Sequence, residues 1–112
     1  MKRLFSTKDI LIEAYVAYPP TSLCNQIICI IEEVANEFKD KTEVRVWMKG
    51  HGIKTRGGEF LSSLTFTPGL QKASKESIIP AIIINGKLVF EKIAPSKDEL
   101  RRFIIQELEN GN

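Results

Sequence analysis

Apolar and polar positions alternate near the start of the chain and then recur with helical spacing. Residues 10–18 are rich in β-branched and aromatic types at alternating positions, which predicts a strand. Pro19-Pro20 ends it, because two successive prolines remove two backbone donors. The apolar positions up to about residue 38 then fall on one wide arc at 100° per residue. This pattern predicts an amphipathic helix that begins at Thr21-Ser22, either of which is a suitable N-cap.

The rest of the chain carries three local signals that separate further elements. Thr67-Pro68 is typical of an N-cap followed by proline at the first helical position. Asn85-Gly86 favours a two-residue hairpin turn, and Ser96 with Glu99 forms the pattern of a capping box. The predicted elements are strands at 43–48, 81–84 and 87–93, helices at 67–77 and 96–109, and a long loop at 49–66 with a short helix near 59–64.

The helical arc assigns different surroundings to the two cysteines of the chain. Cys24 falls on the apolar side of the first helix, and Cys29 falls among its polar residues. Helix geometry places Cα atoms five residues apart at about 8.7 Å. A disulfide requires less than about 7 Å. The sequence therefore predicts two free thiols, one facing the core and one facing solvent.

Length and charge limit the classes of protein that need consideration. The 112 residues suit one domain spanning 1–112, and 43% hydrophobic content excludes a disordered chain. With 16 Lys and Arg against 14 Asp and Glu, the net charge of +2 argues against nucleic acid or a membrane surface as partner. The longest apolar runs are far shorter than the roughly 20 residues of a bilayer span, and no targeting segment is recognised. We expect a cytoplasmic protein in a reducing environment.

The order of these elements, β-α-β followed by α-β-β-α, resembles the thioredoxin fold. The segments 78–87, with a proline before its strand, and 94–100 are similar to the C-terminal half of small thioredoxin/glutaredoxin-like proteins. The resemblance implies an α/β domain with a four-stranded mixed sheet in the order second, first, third, fourth, and helices on both faces. It also implies a cis bond at Pro80, with Ile79 offering its backbone to a bound partner. Residues 49–66 correspond to an insertion.

The chain departs from the redox-active members at the start of the first helix. Where those proteins carry Cys-x-x-Cys, this sequence has Thr21-Ser22-Leu23-Cys24. Thiol–disulfide exchange needs one thiolate to attack and a second thiol to release the mixed disulfide. Threonine at the attacking position can do neither, so the sequence predicts no dithiol oxidoreductase activity.

Cys24 nevertheless has a functional and a structural interpretation. A helix start favours the thiolate, which would make Cys24, with Thr21 as a neighbouring hydroxyl, the catalytic group of a monothiol redox protein. Burial would instead make Cys24 a small apolar core residue with a raised thiol pKa. Thr21-x-x-Cys24 is also similar to the peroxidatic motif of peroxiredoxins, but Ala17 occupies the place of that family's proline.

Three hypotheses of function follow. The first is a non-catalytic module that binds a peptide or protein partner in a groove formed by Pro19-Pro20, Thr21 and Ile79-Pro80. The second is the monothiol redox protein acting through Cys24. The third is an anion site in the glycine-rich segment 49–58, where Lys54 and Arg56 would supply positive charge, although this segment fits no known phosphate motif.

Metal and cofactor chemistry finds no support in the sequence. His51 is the single histidine, and no Cys/His cluster accompanies it at ligand spacing. We therefore expect neither a metal nor a cofactor. The pattern of residues does not specify an oligomeric state.

Overall fold

A computed structural model describes residues 9–38, 40–50, 52–55 and 67–110, with the backbone alone for residues 52–55 and for Asn110. These residues form three helices and five strands. In chain order the elements are β1 (Ile10–Val16), α1 (Ser22–Glu37), β2 (Thr42–Met48), β3 (Gly52–Thr55), α2 (Pro68–Glu76), β4 (Ala81–Ile84), β5 (Lys87–Glu91) and α3 (Lys97–Asn110).

The five strands form one mixed sheet in the order β3-β2-β1-β4-β5. β1 is parallel to β2, as expected for two strands joined by a helix, and antiparallel to β4. β4 and β5 are antiparallel and joined by the predicted turn. The four strands that the sequence predicts are therefore present in the predicted order, and the domain is a small α/β domain with a mixed sheet.

The prediction of a loop at 49–66 does not hold for its first part. Gly52–Thr55 forms β3, which pairs antiparallel with β2 in a register that sets Ile53 opposite Trp47. The segment is short, begins with glycine and does not alternate, so tertiary pairing with β2 decides its conformation rather than local propensity. Residues 56–66, including the predicted short helix near 59–64, lie outside the described residues.

Among the described residues, the core consists of two clusters that take alternate residues of β1. The first contains the even-numbered apolar residues of β1 together with the apolar sides of α1 and α3, and the second contains Tyr15 with α2. Successive side chains of a strand point to opposite faces of a sheet, which accounts for this division. Members of the first cluster include Ile10, Ile12, Ala14, Val16, Cys24, Ile27, Ile31, Leu100 and Ile104; members of the second include Tyr15, Trp47, Leu70, Ala73, Ala81 and Ile83.

Ion pairs join the exposed margins of α1 and α3. The Arg101 guanidinium donates two hydrogen bonds to the Glu37 carboxylate, at 2.7 Å from Nε and 2.8 Å from Nη2. Lys97 Nζ lies 2.5 Å from Glu33 Oε1. Within the described ranges, none of the helices combines the length and apolar character needed to cross a membrane.

Candidate functional site

The first helix begins at Thr21, which is its N-cap. Thr21 has extended backbone angles, and its Oγ1 accepts a hydrogen bond from the Cys24 N–H at 3.2 Å. This bond satisfies one of the backbone donors that the first helical turn leaves without an intrahelical partner. Thr21 thus has a capping role, and it is exposed at the helix start.

Cys24, the third helical residue, lies inside the protein. Its relative exposure is 0%, and it belongs to the first core cluster. Cys29 is exposed, with its Sγ 3.8 Å from Glu33 Oε2. Both cysteines are free, so the division that the helical arc predicts is confirmed. A thiol that solvent does not reach cannot attack a partner without a rearrangement of the surrounding core.

The end of β1 and the start of β4 lie side by side. Tyr15 pairs with Ala81 in the antiparallel register, so continuing two residues past Tyr15 and two residues back from Ala81 brings Ala17 towards Ile79. Ala17 and Ile79 are both half-buried and pack against the first core cluster. Pro80 is buried, and the Ile79–Pro80 bond is cis, which is the isomer that the resemblance implies.

Beyond Ala17 the chain turns outward and exposes apolar surface. Tyr18 is 53% exposed, Pro19 is exposed and Pro20 is half-buried. The Tyr18–Pro19 bond is also cis. We call the surface made by Tyr18, Pro19, Pro20, Thr21, Ile79 and Pro80 the proline edge. It offers the Tyr18 side chain, the rings of Pro19 and Pro20 and the Thr21 side chain to solvent, whereas Pro80 is buried. It offers no thiol, because Cys24 is buried.

The residues of the anion hypothesis lie mostly outside the described residues. Lys54 belongs to β3, opposite Val46, but the structure describes only its backbone. Arg56 and His51 are outside the described ranges. The structure therefore brings Pro20, Thr21, Ile79 and Pro80 to the end of the sheet where β1 ends and β4 begins, while Arg56 and the Lys54 side chain lie outside what the structure describes.

A buried carboxylate in β1 is the feature that sequence reasoning missed. Glu13 has 0% exposure in the centre of the sheet. Its Oε1 accepts a hydrogen bond from the Thr67 hydroxyl at 2.5 Å, and its Oε2 accepts one from the Trp47 indole at 3.3 Å. Burial raises the pKa of Glu13 above its ordinary value of 4.5, and these two hydrogen bonds and nearby Arg45 oppose the rise.

Arg45 lies next to Glu13 on the neighbouring strand β2. It is the partner of Glu13 in the parallel register of β1 and β2, and it is itself buried. Its Nε donates to Glu43 Oε2 at 2.8 Å. An acidic residue inside an otherwise apolar strand was the available signal in the sequence. Because Glu13 lies with the residues of the second core cluster and Cys24 lies in the first, they do not form one site.

Comparison with known proteins adds no family to these observations. No protein-family model matches the chain, and no curated protein matches it. Among the residues that the structure describes, no three His, Cys, Asp or Glu side chains are grouped so that they could hold a metal ion.

Proposed function

We propose that this protein is a thioredoxin-like domain, with helices on both faces of its sheet, that binds a peptide or protein partner at the proline edge and lacks dithiol oxidoreductase activity. The order of the strands and the division of the core into two clusters support the fold. The observation that carries the function is the contrast between a fully buried Cys24 and an exposed surface beside it, in which Tyr18 is 53% exposed.

The composition of the proline edge suits recognition of a chain segment. An exposed tyrosine beside prolines offers rigid apolar area with little side-chain freedom to lose, and its hydroxyl can still hydrogen-bond. The Thr21 hydroxyl and the backbone around Ile79 add polar groups at the same end of the sheet. Such a surface fits an extended peptide with an apolar side chain.

Enrichment of a random peptide library on the immobilised full chain, followed by affinity measurement of the selected peptides, tests this proposal. Tyr18→Ala should weaken binding by about tenfold, as expected for loss of an aromatic anchor. Ile105→Ala is the matched control, because Ile105 is another exposed apolar residue, on α3. Failure to enrich any peptide, or peptides that lose affinity in the Ile105 variant but not in the Tyr18 variant, would contradict the proposal.

The monothiol hypothesis remains the competing function, and thiol alkylation over a range of pH distinguishes it. In the folded protein we expect Cys29 to react and Cys24 to stay unmodified until unfolding. Cys29→Ser isolates Cys24, and Cys24→Ser isolates Cys29. Rapid alkylation of Cys24 in the folded Cys29→Ser variant, well below the ordinary thiol pKa of about 8.5, would replace the binding proposal with the redox one.

A further inference from the structure

The turn between β4 and β5 holds the sequence Asn85-Gly86 in a left-handed conformation. The φ angles are 51° at Asn85 and 83° at Gly86. Asn-Gly is the sequence in which the backbone nitrogen of the second residue most readily reaches the side-chain amide carbon of the first, because glycine has no side chain to obstruct the approach. The chemistry of deamidation is therefore available in this turn.

Both ends of the Asn85 amide are occupied by the folded protein. Its Oδ1 accepts a hydrogen bond from the Leu11 N–H at 2.8 Å, and its backbone N–H donates to the Leu11 carbonyl at 2.8 Å. Its Nδ2 donates to Glu107 Oε1 at 2.9 Å. The amide thus joins the turn to β1 and to α3. To approach the Gly86 nitrogen, it must release both partners.

We propose that Asn85 is a deamidation site, which its hydrogen bonds to Leu11 and Glu107 keep closed in the folded protein and which opens when the turn separates from β1 and α3. In the open state the Gly86 nitrogen forms a bond to Cγ of Asn85. The bond from Cγ to Nδ2 breaks, and ammonia leaves with the proton from the Gly86 nitrogen. Water then opens the resulting succinimide at either carbonyl, giving aspartate or isoaspartate, with no change of oxidation state.

The product would not restore the native contacts. A carboxylate at position 85 would face the Glu107 carboxylate at the place where an amide nitrogen now lies 2.9 Å away. Two like charges at this separation repel each other. Isoaspartate would also add a methylene to the backbone of a two-residue turn. The reaction is therefore a one-way modification that weakens the attachment of α3 to the turn.

Incubation of the full chain at mildly alkaline pH, native and unfolded in guanidinium, tests the inference. Peptide mapping by mass spectrometry must locate the mass gain, because Asn110-Gly111 is a second Asn-Gly pair in the sequence. Opening must break the two hydrogen bonds of the Asn85 side chain. If each has ordinary net strength, deamidation at Asn85 should be roughly 30-fold slower in the folded protein than in the unfolded chain. Equal native and unfolded rates would overturn the inference.

Variants at Glu107 assign the protection to its hydrogen bond. Glu107→Ala should accelerate native deamidation at Asn85 roughly fivefold, the value of one hydrogen bond. Glu107→Gln, which keeps an accepting oxygen, should stay near the wild-type rate. Glu109→Ala, at an exposed position of the same helix, is the matched control. The unfolded chains should all react alike, and a native Glu107→Ala rate equal to that of the wild type would show that Glu107 does not protect the site.

The product itself provides a readout that does not depend on kinetics. Asn85→Asp should lower the midpoint of denaturant unfolding at neutral pH, and adding Glu107→Gln should recover part of the loss, because only one carboxylate then remains. A midpoint unchanged by Asn85→Asp would contradict the predicted consequence of the modification.

Discussion

The starts of α1 and α2 are alike locally and differ in what surrounds them. Each begins with a threonine N-cap in extended conformation, with φ and ψ of −76° and 173° at Thr21 and −77° and 166° at Thr67. Each hydroxyl oxygen accepts from the backbone N–H three residues on, at 3.2 Å and 3.4 Å. Thr21 is exposed, whereas Thr67 is fully buried and donates its own proton to Glu13. The same type of cap therefore stabilises the start of one helix at the surface and connects the start of the other to the buried Glu13 carboxylate.

Loss of the Thr67 hydroxyl should lower the free energy of unfolding more than any other change at these two helix starts. Thr67→Ala removes the cap of α2 and a donor to the buried Glu13 carboxylate. Together these losses should lower the free energy of unfolding by about 3 kcal/mol. Denaturant unfolding measures the change, and Thr67→Ser, which keeps the hydroxyl, should restore most of it. A loss no greater than that of an exposed cap would mean that Thr67 and Glu13 do not act together.

Gly69 marks a second difference between the two helix starts. Its N–H donates to the Gly86 carbonyl at 2.8 Å, and a Cβ at this position would lie 2.7 Å from that oxygen and 2.9 Å from the Leu88 nitrogen. Because the obstacles are largely backbone atoms, Gly69→Ala should lower the free energy of unfolding by about 2 kcal/mol through overpacking. Lys72→Ala, at an exposed position of α2, is the control for helix effects, and equal stabilities of the two variants would argue against the close approach.

Thr21→Ala should cost less than either change in α2. It removes one exposed cap, which is worth about 1 kcal/mol in the free energy of unfolding, and, unlike Thr67→Ala, takes no donor from a buried carboxylate. The measurement is again denaturant unfolding, with Thr21→Ser as the variant that keeps the hydroxyl. A loss as large as that of Thr67→Ala would mean that Thr21 supports more than the start of α1.

The sequence predicts features that depend on neighbouring residues better than features that depend on contacts between distant segments. The cap at Thr21 and the opposite surroundings of Cys24 and Cys29 follow from residues close together in the chain. The order of four strands is instead what the resemblance to the thioredoxin fold implies. β3 could not be predicted in that way, because Gly52–Thr55 becomes a strand only by pairing with β2. The sequence also does not show that Thr67 contacts Glu13, which lies 54 residues earlier.

Glu13→Gln is the mildest change, because the amide keeps the shape of the side chain and an oxygen that accepts hydrogen bonds. Burial raises the pKa of Glu13 in the folded protein above 4.5, its ordinary value. Between pH 4.5 and the folded pKa, the folded protein therefore binds more protons than the unfolded chain. The contribution of Glu13 to stability is therefore complete below pH 4.5 and is lost as the pH rises through the folded pKa. The Gln variant should lack this decline.

The test is the difference in unfolding free energy between wild type and Glu13→Gln, followed upward from pH 4.5. Taking the difference removes the contributions of groups that do not contact Glu13. The titration of Glu37 is also distinguishable, because its hydrogen bond with Arg101 lowers its pKa. Its effect on stability therefore appears below pH 4.5. Arg45 and Glu43 are the charged side chains that act on Glu13 from the neighbouring strand. A difference that stays constant with pH would mean that the buried carboxylate titrates as it does in the unfolded chain, and the connection of α2 to Glu13 would then rest on shape rather than on charge.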